Sequence, residues 1–284
     1  MNDFVPDFSK LYVPDLNSHK GQNGKLLVIG GSCLFHAASL WALQIASKIV
    51  DMVYFSSVDE NNQIVLDLKK EFRNGIVVPR GRVEEYIPDA DCILIGPGLP
   101  RKEGEEEGDD DTKELTERLL KKYLHKKWVI DGGSLQTIDP SVIPKNAILT
   151  PHQREFEMLF GVTRDTRHVT RTENVLPVTF DVLPFAKEHN CTILLKGPVD
   201  TVCSPTKCVQ IAGGSAGMTK GGTGDVLAGL VAALYCKNDA FFSATMGSFL
   251  NKKAGESLEK RMGTYFNSSD LVEEIPKIMK EYTG

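Results

Sequence analysis

A three-layer α/β/α fold built on a mainly parallel central sheet is the class this 284-residue chain predicts. Three observations lead there. Short apolar runs, among them Lys25–Ile29, Cys92–Ile95 and Thr192–Leu195, alternate with longer segments of helical spacing. That is the pattern of βα units whose sheet is covered on both faces. Several of these runs end in glycine, proline or polar turns, at 30–32, 96–100, 131–134 and 150–152. Finally, the stretch 213–234 is a glycine-dense turn that passes directly into helix-forming residues.

Taken in order, residues 1–20 are polar and irregular, with Pro6 and Pro14, and positions 1–17 read as an arm. Lys25–Ile29 is a buried strand running into Gly30-Gly31-Ser32. Apolar residues at helical spacing predict a helix over 37–50, then strands at 52–55 and 76–78. Cys92–Ile95 is a buried strand ending at 96–100, and residues 101–111 (RKEGEEEGDDD) read as an acidic, solvated excursion. A helix follows over 111–123, then strands 128–130 and 147–149, then a helix from Glu155 to Phe160 stopped by Gly161. Residues 164–178 read as an irregular, proline-containing link before a helix at 182–188. Strand Thr192–Leu195 ends in Lys196-Gly197, and 201–203 with Cys208–Ile211 suggest a hairpin around Ser204-Pro205. Two long helices, 225–236 and 239–260, and an amphipathic helix over 270–282 complete the chain. With no internal repeat and no splitting linker, one domain over 1–284 is expected. The turns at the strands' carboxyl ends are expected to share a rim with the glycine-rich loop.

Composition narrows the function. The chain is 41% hydrophobic and 25% charged with a net charge of −5, an ordinary globular balance that argues against general nucleic-acid binding. No apolar run approaches the ~18 residues of a membrane span, and the N-terminus shows no signal-peptide pattern. The six cysteines are scattered and read as small buried hydrophobes of a reducing compartment, so the expected address is cytoplasmic. Cys203 and Cys208 flank Pro205, and no His or Cys pair completes a zinc site with them.

The chemistry concentrates at 213–226. Glycines let backbone N–H groups turn inward, and the first turn of the next helix adds unpaired N–H groups and a positive dipole end. Together they form an anion cradle suited to phosphate. Neither GxGxxG nor GxxxxGK[ST] is matched, because Lys220 precedes the Gly221-Gly222-Thr223-Gly224 cluster. Asp225 at the lip of the cradle suits a general base beside a phosphoryl group.

Gly30-Gly31-Ser32, the 95–100 stretch IGPGLP, Leu149-Thr150-Pro151-His152 with Glu155-Phe156, Lys196-Gly197 and the 220–227 stretch KGGTGDVL resemble, in order and spacing, the NAD(P)H-hydrate dehydratases. The resemblance covers roughly residues 18–282. It implies a ribokinase-like sandwich and repair of the S-form of hydrated NADH or NADPH (NADHX, NADPHX), with ADP or ATP as co-substrate and Mg²⁺ on its phosphates. It makes Asp225 the catalytic base, supported by Gly222, Thr223 and Gly224 around the transferred group. It places Ala38, Gly98, His152 and Asp225 at the hydrate, and Lys196, Gly197, Pro198, Val199, Asp200, Thr201 and Gly224 at the nucleotide. It also puts Glu155 near the metal.

By analogy it further implies a homotetramer and, since an N-terminal epimerase domain is not expected in this chain, a separate epimerase for the R-form. No nucleic-acid or membrane partner is expected. Some positions depart from the family pattern: Leu34-Phe35-His36-Ala37 stand where a glycine usually precedes the alanine, and Gly214 stands where asparagine is usual. Taken singly, His152 and Lys196 also read as structural residues at strand ends, Glu155 as a helix-start acid and Asp131 as an N-cap. The alternatives are a kinase of the same fold acting on a hydroxymethylpyrimidine- or hydroxyethylthiazole-type vitamin precursor, and a catalytically silent nucleotide-sensing module.

Overall fold

Apolar residues on both sides of most of the short runs give strands that can be buried on two faces, and among the described residues nine strands pair into one sheet. In the computed structural model, which describes residues 4–162 and 181–283 apart from the side chain of Lys102, the strands are β1 (Lys25–Ile29), β2 (Met52–Ser56), β3 (Ile76–Val77), β4 (Cys92–Ile95), β5 (Lys127–Ile130), β6 (Ile148–Leu149), β7 (Thr192–Leu195), β8 (Asp200–Cys203) and β9 (Cys208–Ile211). The helices are α1 (Ala37–Ala46), α2 (Asp59–Asp67), α3 (Val83–Tyr86), α4 (Thr112–Lys122), α5 (Gly132–Thr137), α6 (Gln153–Phe160), α7 (Leu183–Glu188), α8 (Thr223–Lys237), α9 (Ala240–Met262) and α10 (Ser268–Thr283). The strand order is β3-β2-β1-β4-β5-β6-β7-β8-β9. Pairing is parallel from β3 to β7, and the β8–β9 hairpin adds two antiparallel strands.

Strand alternation sets the layers. Leu27 and Ile29 of β1, with Ile93, Ile95, Trp128 and Ile130, pack against α4, α5 and α6 on one face. Leu26 and Val28, with Leu94, Val129 and Ile148, pack against α1, α8 and α9 on the other. A further apolar cluster joins α8, α9 and α10, which explains why α8 is buried on nearly every side. The three-layer sandwich expected from the sequence is therefore present.

Several local differences have physical reasons. The first helix ends at Ala46, and 47–50 turn back toward β2 through Ala46 O, which accepts from Ile49 and Val50 N–H. Helix α2 was not legible, because it packs through amides: buried Asn61 donates to Ser32 O (3.1 Å) and Asn62 to Ser57 O (2.9 Å). Polar residues at its inner face hide the apolar period on which sequence reading depends. The expectation that all cysteines are unpaired is corrected: Cys203 and Cys208 face each other across β8–β9, their Cα atoms 4.1 Å apart, and form a disulfide. Cys92, Cys191 and Cys236 are free and buried as expected, and Cys33 is half-buried. The link expected at 164–178 lies outside the described residues.

Candidate active site

The strand order reverses direction between β1 and β4, and in open α/β sheets the ligand crevice opens at such a point, beyond the strands' carboxyl ends. The turns after these two strands are bonded together there, with Gly31 N–H donating to Pro97 O at 2.8 Å. Gly96 (φ +119°) is packed so tightly that a Cβ would collide with the carbonyl of Asp131, so the turn requires glycine.

Three neighbouring strands deliver a charged cluster to the same rim. Asp131 follows β5, Thr150 follows β6 and Lys196 follows β7. Lys196 Nζ donates to Asp131 Oδ1 at 2.9 Å and lies 3.8 Å from Glu155 Oε2, while Thr150 Oγ1 donates to Asp131 Oδ1 at 2.7 Å. Asp131 and Glu155 are buried, at 2% and 4% exposure, so this lysine is the counter-ion of two carboxylates removed from water. Burial alone would lower the Lys196 pKa, but Asp131 and Glu155 outweigh it and hold the ammonium charged.

Glu155 is fixed by a capping box at the start of α6: its Oε2 accepts from His152 N–H (2.8 Å), and its own N–H donates to His152 Nδ1 (3.1 Å). Asp131 is the N-cap residue of α5, as its position suggested, but its side chain makes no cap bond and turns to Lys196 and Thr150 instead.

Helix α8 starts at this cluster. Gly222 (φ +91°) is its N-cap, and a Cβ there would collide with Trp41. Thr223 Oγ1 donates to Met218 O (2.6 Å) and Lys220 O (3.0 Å), tying the glycine-rich loop to the first turn. Lys220 itself turns away and donates to the carbonyls of Thr264 and Phe266. The cation that meets the helix start is instead Lys196: a Cβ placed on Gly224 would stand 3.4 Å from its Nζ. Desolvation, then the charge of Asp131, pushes the Asp225 carboxyl up to about 7, with Lys196 pulling the other way and Glu155 adding to the rise. A carboxylate poised there is suited to general-base work near neutral pH.

Two cavities meet at this helix start. The first, about 690 Å³, is lined by His152, Lys196, Gly197 and Pro198 on one side and by Thr223 and Gly224 on the other. The second, about 460 Å³, is lined by Ala38, Gly98 and Asp225, with Leu34 and Phe35 at its rim. Gly224 belongs to one cavity and its neighbour Asp225 to the other.

The sequence profile of the NAD(P)H-hydrate dehydratases matches residues 26–277. The chain belongs to this family. It is 32% identical to the ADP-dependent (S)-NAD(P)H-hydrate dehydratase of Nitrosopumilus maritimus, over 96% of this chain and 95% of that protein. It is 37% identical to the bifunctional NAD(P)H-hydrate repair enzyme of Methanocaldococcus jannaschii, over 96% of this chain but 52% of that protein. The chain thus spans about half the length of that bifunctional relative. The ADP/ATP-dependent NAD(P)H-hydrate dehydratase of Bacillus subtilis, crystallised with ATP and Mg²⁺, superposes with a TM-score of 0.77 at 23% identity, covering 97% of this chain and 95% of that one. The fold is ribokinase-like.

Within the family's expected nucleotide loop, Lys196, Gly197, Pro198 and Asp200 line the first cavity, whereas Val199 and Thr201 do not. Strand β8 begins at Asp200, so alternation buries Asp200 and Val202 and turns Thr201 to the other face. Even Asp200 serves mainly as a staple: its Oδ1 accepts from Gly197 N–H (2.9 Å) and its Oδ2 from Ser248 Oγ (2.7 Å). His152, expected at the hydrate, lines the first cavity and not the second. Gly222 lines neither, and acts as the bend that aims α8.

The acidic 101–111 segment is largely exposed, as expected of a solvated excursion, and it also forms a wall. Arg101, Glu103 and Gly104 line the second cavity. Further on, Asp109 Oδ1 accepts from Cys33 N–H (2.7 Å), and Asp110 pairs with Arg80 at 2.9 Å. Arg80 in turn donates to Ser56 O (2.9 Å) and Gly30 O (3.0 Å), binding the loop to the turn after β1.

Sequence reading missed Lys252 and Asn251 of α9. Lys252 donates to the carbonyls of Gly197 and Pro198 (both 3.1 Å) and pairs with Asp200 at 3.4 Å, so it holds the 197–200 loop from behind. Asn251 lines the same cavity, and its buried Oδ1 has no hydrogen-bond partner among the described residues. Gln136 was missed too: it lines the second cavity and donates to Glu155 Oε1 (3.1 Å). Nothing local to any of the three marks it; each reaches its place only through tertiary packing.

Proposed function

We propose that this chain restores NADH and NADPH from their S-hydrates, using ADP or ATP to turn the ring hydroxyl into a leaving group. The observation that carries this reading is the division of the two cavities between adjacent residues of one helical turn. A nucleotide in the first cavity would direct its terminal phosphate at the start of α8 and at Lys196. A hydrate in the second would bring its ring hydroxyl to Asp225. The Gly224 amide in the first turn and the positive helix end would stabilise charge on the transferred group.

Asp225 takes the hydroxyl proton as that oxygen attacks the terminal phosphorus, and the bridging oxygen leaves with AMP or ADP. The ring nitrogen's electrons then expel inorganic phosphate from C6, and loss of the C5 proton restores the double bond. Hydrate plus ADP thereby gives dihydronicotinamide, AMP and phosphate, and the water once added to the ring leaves within the phosphate. The archaeal relative named as ADP-dependent favours ADP.

Three carboxylates around one lysine leave this rim an excess of negative charge, which suits a divalent cation arriving with the nucleotide. Among the described residues no three His, Cys, Asp or Glu side chains converge as metal ligands. Mg²⁺ would arrive with the nucleotide, and Glu155, together with Asp225 of the same charged cluster, would be the carboxylates that help to hold it. When bound, it would neutralise phosphate charge. The R-hydrate would need epimerisation by another catalyst before it could use this site.

The test is incubation of the protein with the S-hydrate of NADPH and either nucleotide, reading recovery of dihydronicotinamide absorbance. Recovery is the expected result. No recovery with either nucleotide, together with phosphorylation of a pyrimidine or thiazole alcohol, would assign the site to a small-molecule kinase instead.

A further inference from the structure

The acidic wall of the second cavity contains one arginine whose charge is unused. Arg80, Arg82, Arg118 and Arg261 each hold a carboxylate. Arg101 is exposed, and its guanidinium makes no hydrogen bond or ion pair among the described residues, although Glu103, Glu105, Glu106 and Glu107 follow it closely. An arginine in that company would ordinarily take a neighbouring carboxylate; this one projects into open space.

That space has two adjoining parts. Arg101 lines the second cavity and also a smaller one of about 260 Å³ beyond it, and the two share Arg101, Glu103 and Gln136 as their common wall. Arg101 is the sole cation lining the second cavity among the described residues, where the other ionisable groups are Glu103 and Asp225.

If this is the hydrate site, as proposed above, its ligand is a dinucleotide whose reacting ring belongs beside Asp225. The attached phosphates cannot stay there, because Asp131, Asp225 and Glu155 already crowd that end with negative charge. They must be received farther out, by a cation. A guanidinium presents a planar fork of donors that matches two phosphate oxygens at once. We propose that Arg101 seats a phosphate of the hydrate, and that the dinucleotide runs from Asp225 across Arg101 into the smaller cavity. The phosphate is either the diphosphate common to both hydrates or the 2′-phosphate present only on NADPH hydrate.

The experiment is steady-state kinetics of Arg101→Gln, Arg101→Lys and Glu103→Gln with each hydrate at saturating ADP. Losing a charged hydrogen-bond partner of phosphate should raise the hydrate KM about tenfold or more in Arg101→Gln, with the loss falling on KM rather than kcat. Arg101→Lys should recover part of it, and Glu103→Gln should lower the KM by removing a repelling carboxylate. Equal losses with both hydrates identify the diphosphate; a loss confined to NADPH hydrate identifies the 2′-phosphate. The KM for ADP, which reports on the first cavity, serves as the control for folding.

Turnover with an unchanged KM for both hydrates in Arg101→Gln and Glu103→Gln would overturn the role of Arg101 and leave the proposed function standing. A wild-type protein that converts neither hydrate would remove both.

Discussion

The two cavities that meet at α8 are built in opposite ways. The first is braced from behind: Lys252, Asp200 and Ser248 hold the 197–200 loop, and Thr223 and Lys220 hold the glycine-rich loop, all through hydrogen bonds. The second has an open rim, where Leu34 and Phe35 are 56% and 51% exposed and Arg101 has no partner among the described residues. A phosphate cradle works only if its amides are already aimed, since reorganisation at the moment of reaction forfeits their benefit. A surface that receives a long dinucleotide, as proposed for the second, has less need of that rigidity, and can leave its apolar and charged groups for the ligand to cover.

The largest expected effect lies at the boundary itself. Asp225→Asn keeps the shape and removes the proposed base, so turnover should fall by about 10²–10⁴-fold. Nucleotide binding to the first cavity should persist, measurable by titration calorimetry with ADP. If the variant turns over at the wild-type rate, the base is another group, and the division of labour between the cavities loses its centre.

Next comes the bracing. Lys252 and Asp200 form a buried pair whose side chains are each 7% exposed. Lys252→Met leaves that carboxylate without its cation and should cost about 3 kcal/mol of stability. Denaturant unfolding reads this loss, and the KM for ADP should rise with it while the hydrate KM holds. A rise in the hydrate KM instead would mean that the bracing serves the other cavity.

How much of this was legible follows the same divide. The glycine-rich loop, Lys196-Gly197 and the turns at the strand ends are contiguous signals, and contiguous signals survive in a sequence. The alternation of apolar runs and helical segments likewise gave the sandwich, with α2 lost because Asn61 and Asn62 fill positions where the period needs apolar residues. Asp131 as the counter-ion of Lys196 required knowing that β5 and β7 flank β6, a relation between distant segments. Lys252 was equally invisible, since a lysine on a long helix carries no local mark of burial. The acidic 101–111 segment was legible as a solvated run but not as a wall, since a charge run looks the same whether or not it also borders a cavity.

A smaller effect would sharpen the view of the second cavity as loosely built. Phe35→Ala removes an exposed ring, so unfolding stability should be unchanged within about 0.5 kcal/mol. The hydrate KM should still rise several-fold as apolar contact at the rim is lost. A marked loss of stability would show that the ring is braced after all, and the contrast between the cavities would weaken.

The finest test is electrostatic, and its sign is fixed by the cluster. Desolvation and then Asp131 raise the Asp225 pKa to about 7, so catalysis, which needs the ionised base, should rise with pH along an acidic limb near that value. Stability should run the other way. A carboxyl whose folded pKa is raised favours the protonated form in the fold, so its contribution is present at low pH and is lost as pH climbs through the folded value. Asp225→Asn should therefore be more thermostable than the wild type on the alkaline side of neutrality, a difference that thermal unfolding measures directly. Asp131→Asn removes the largest charge contribution to the rise and should move the limb of kcat/KM toward lower pH, whereas Lys196→Met removes the opposing charge and should move it upward. Shifts in the same direction for both variants would mean that the limb belongs to a different group, and that Asp225 is not the residue whose proton separates the two cavities.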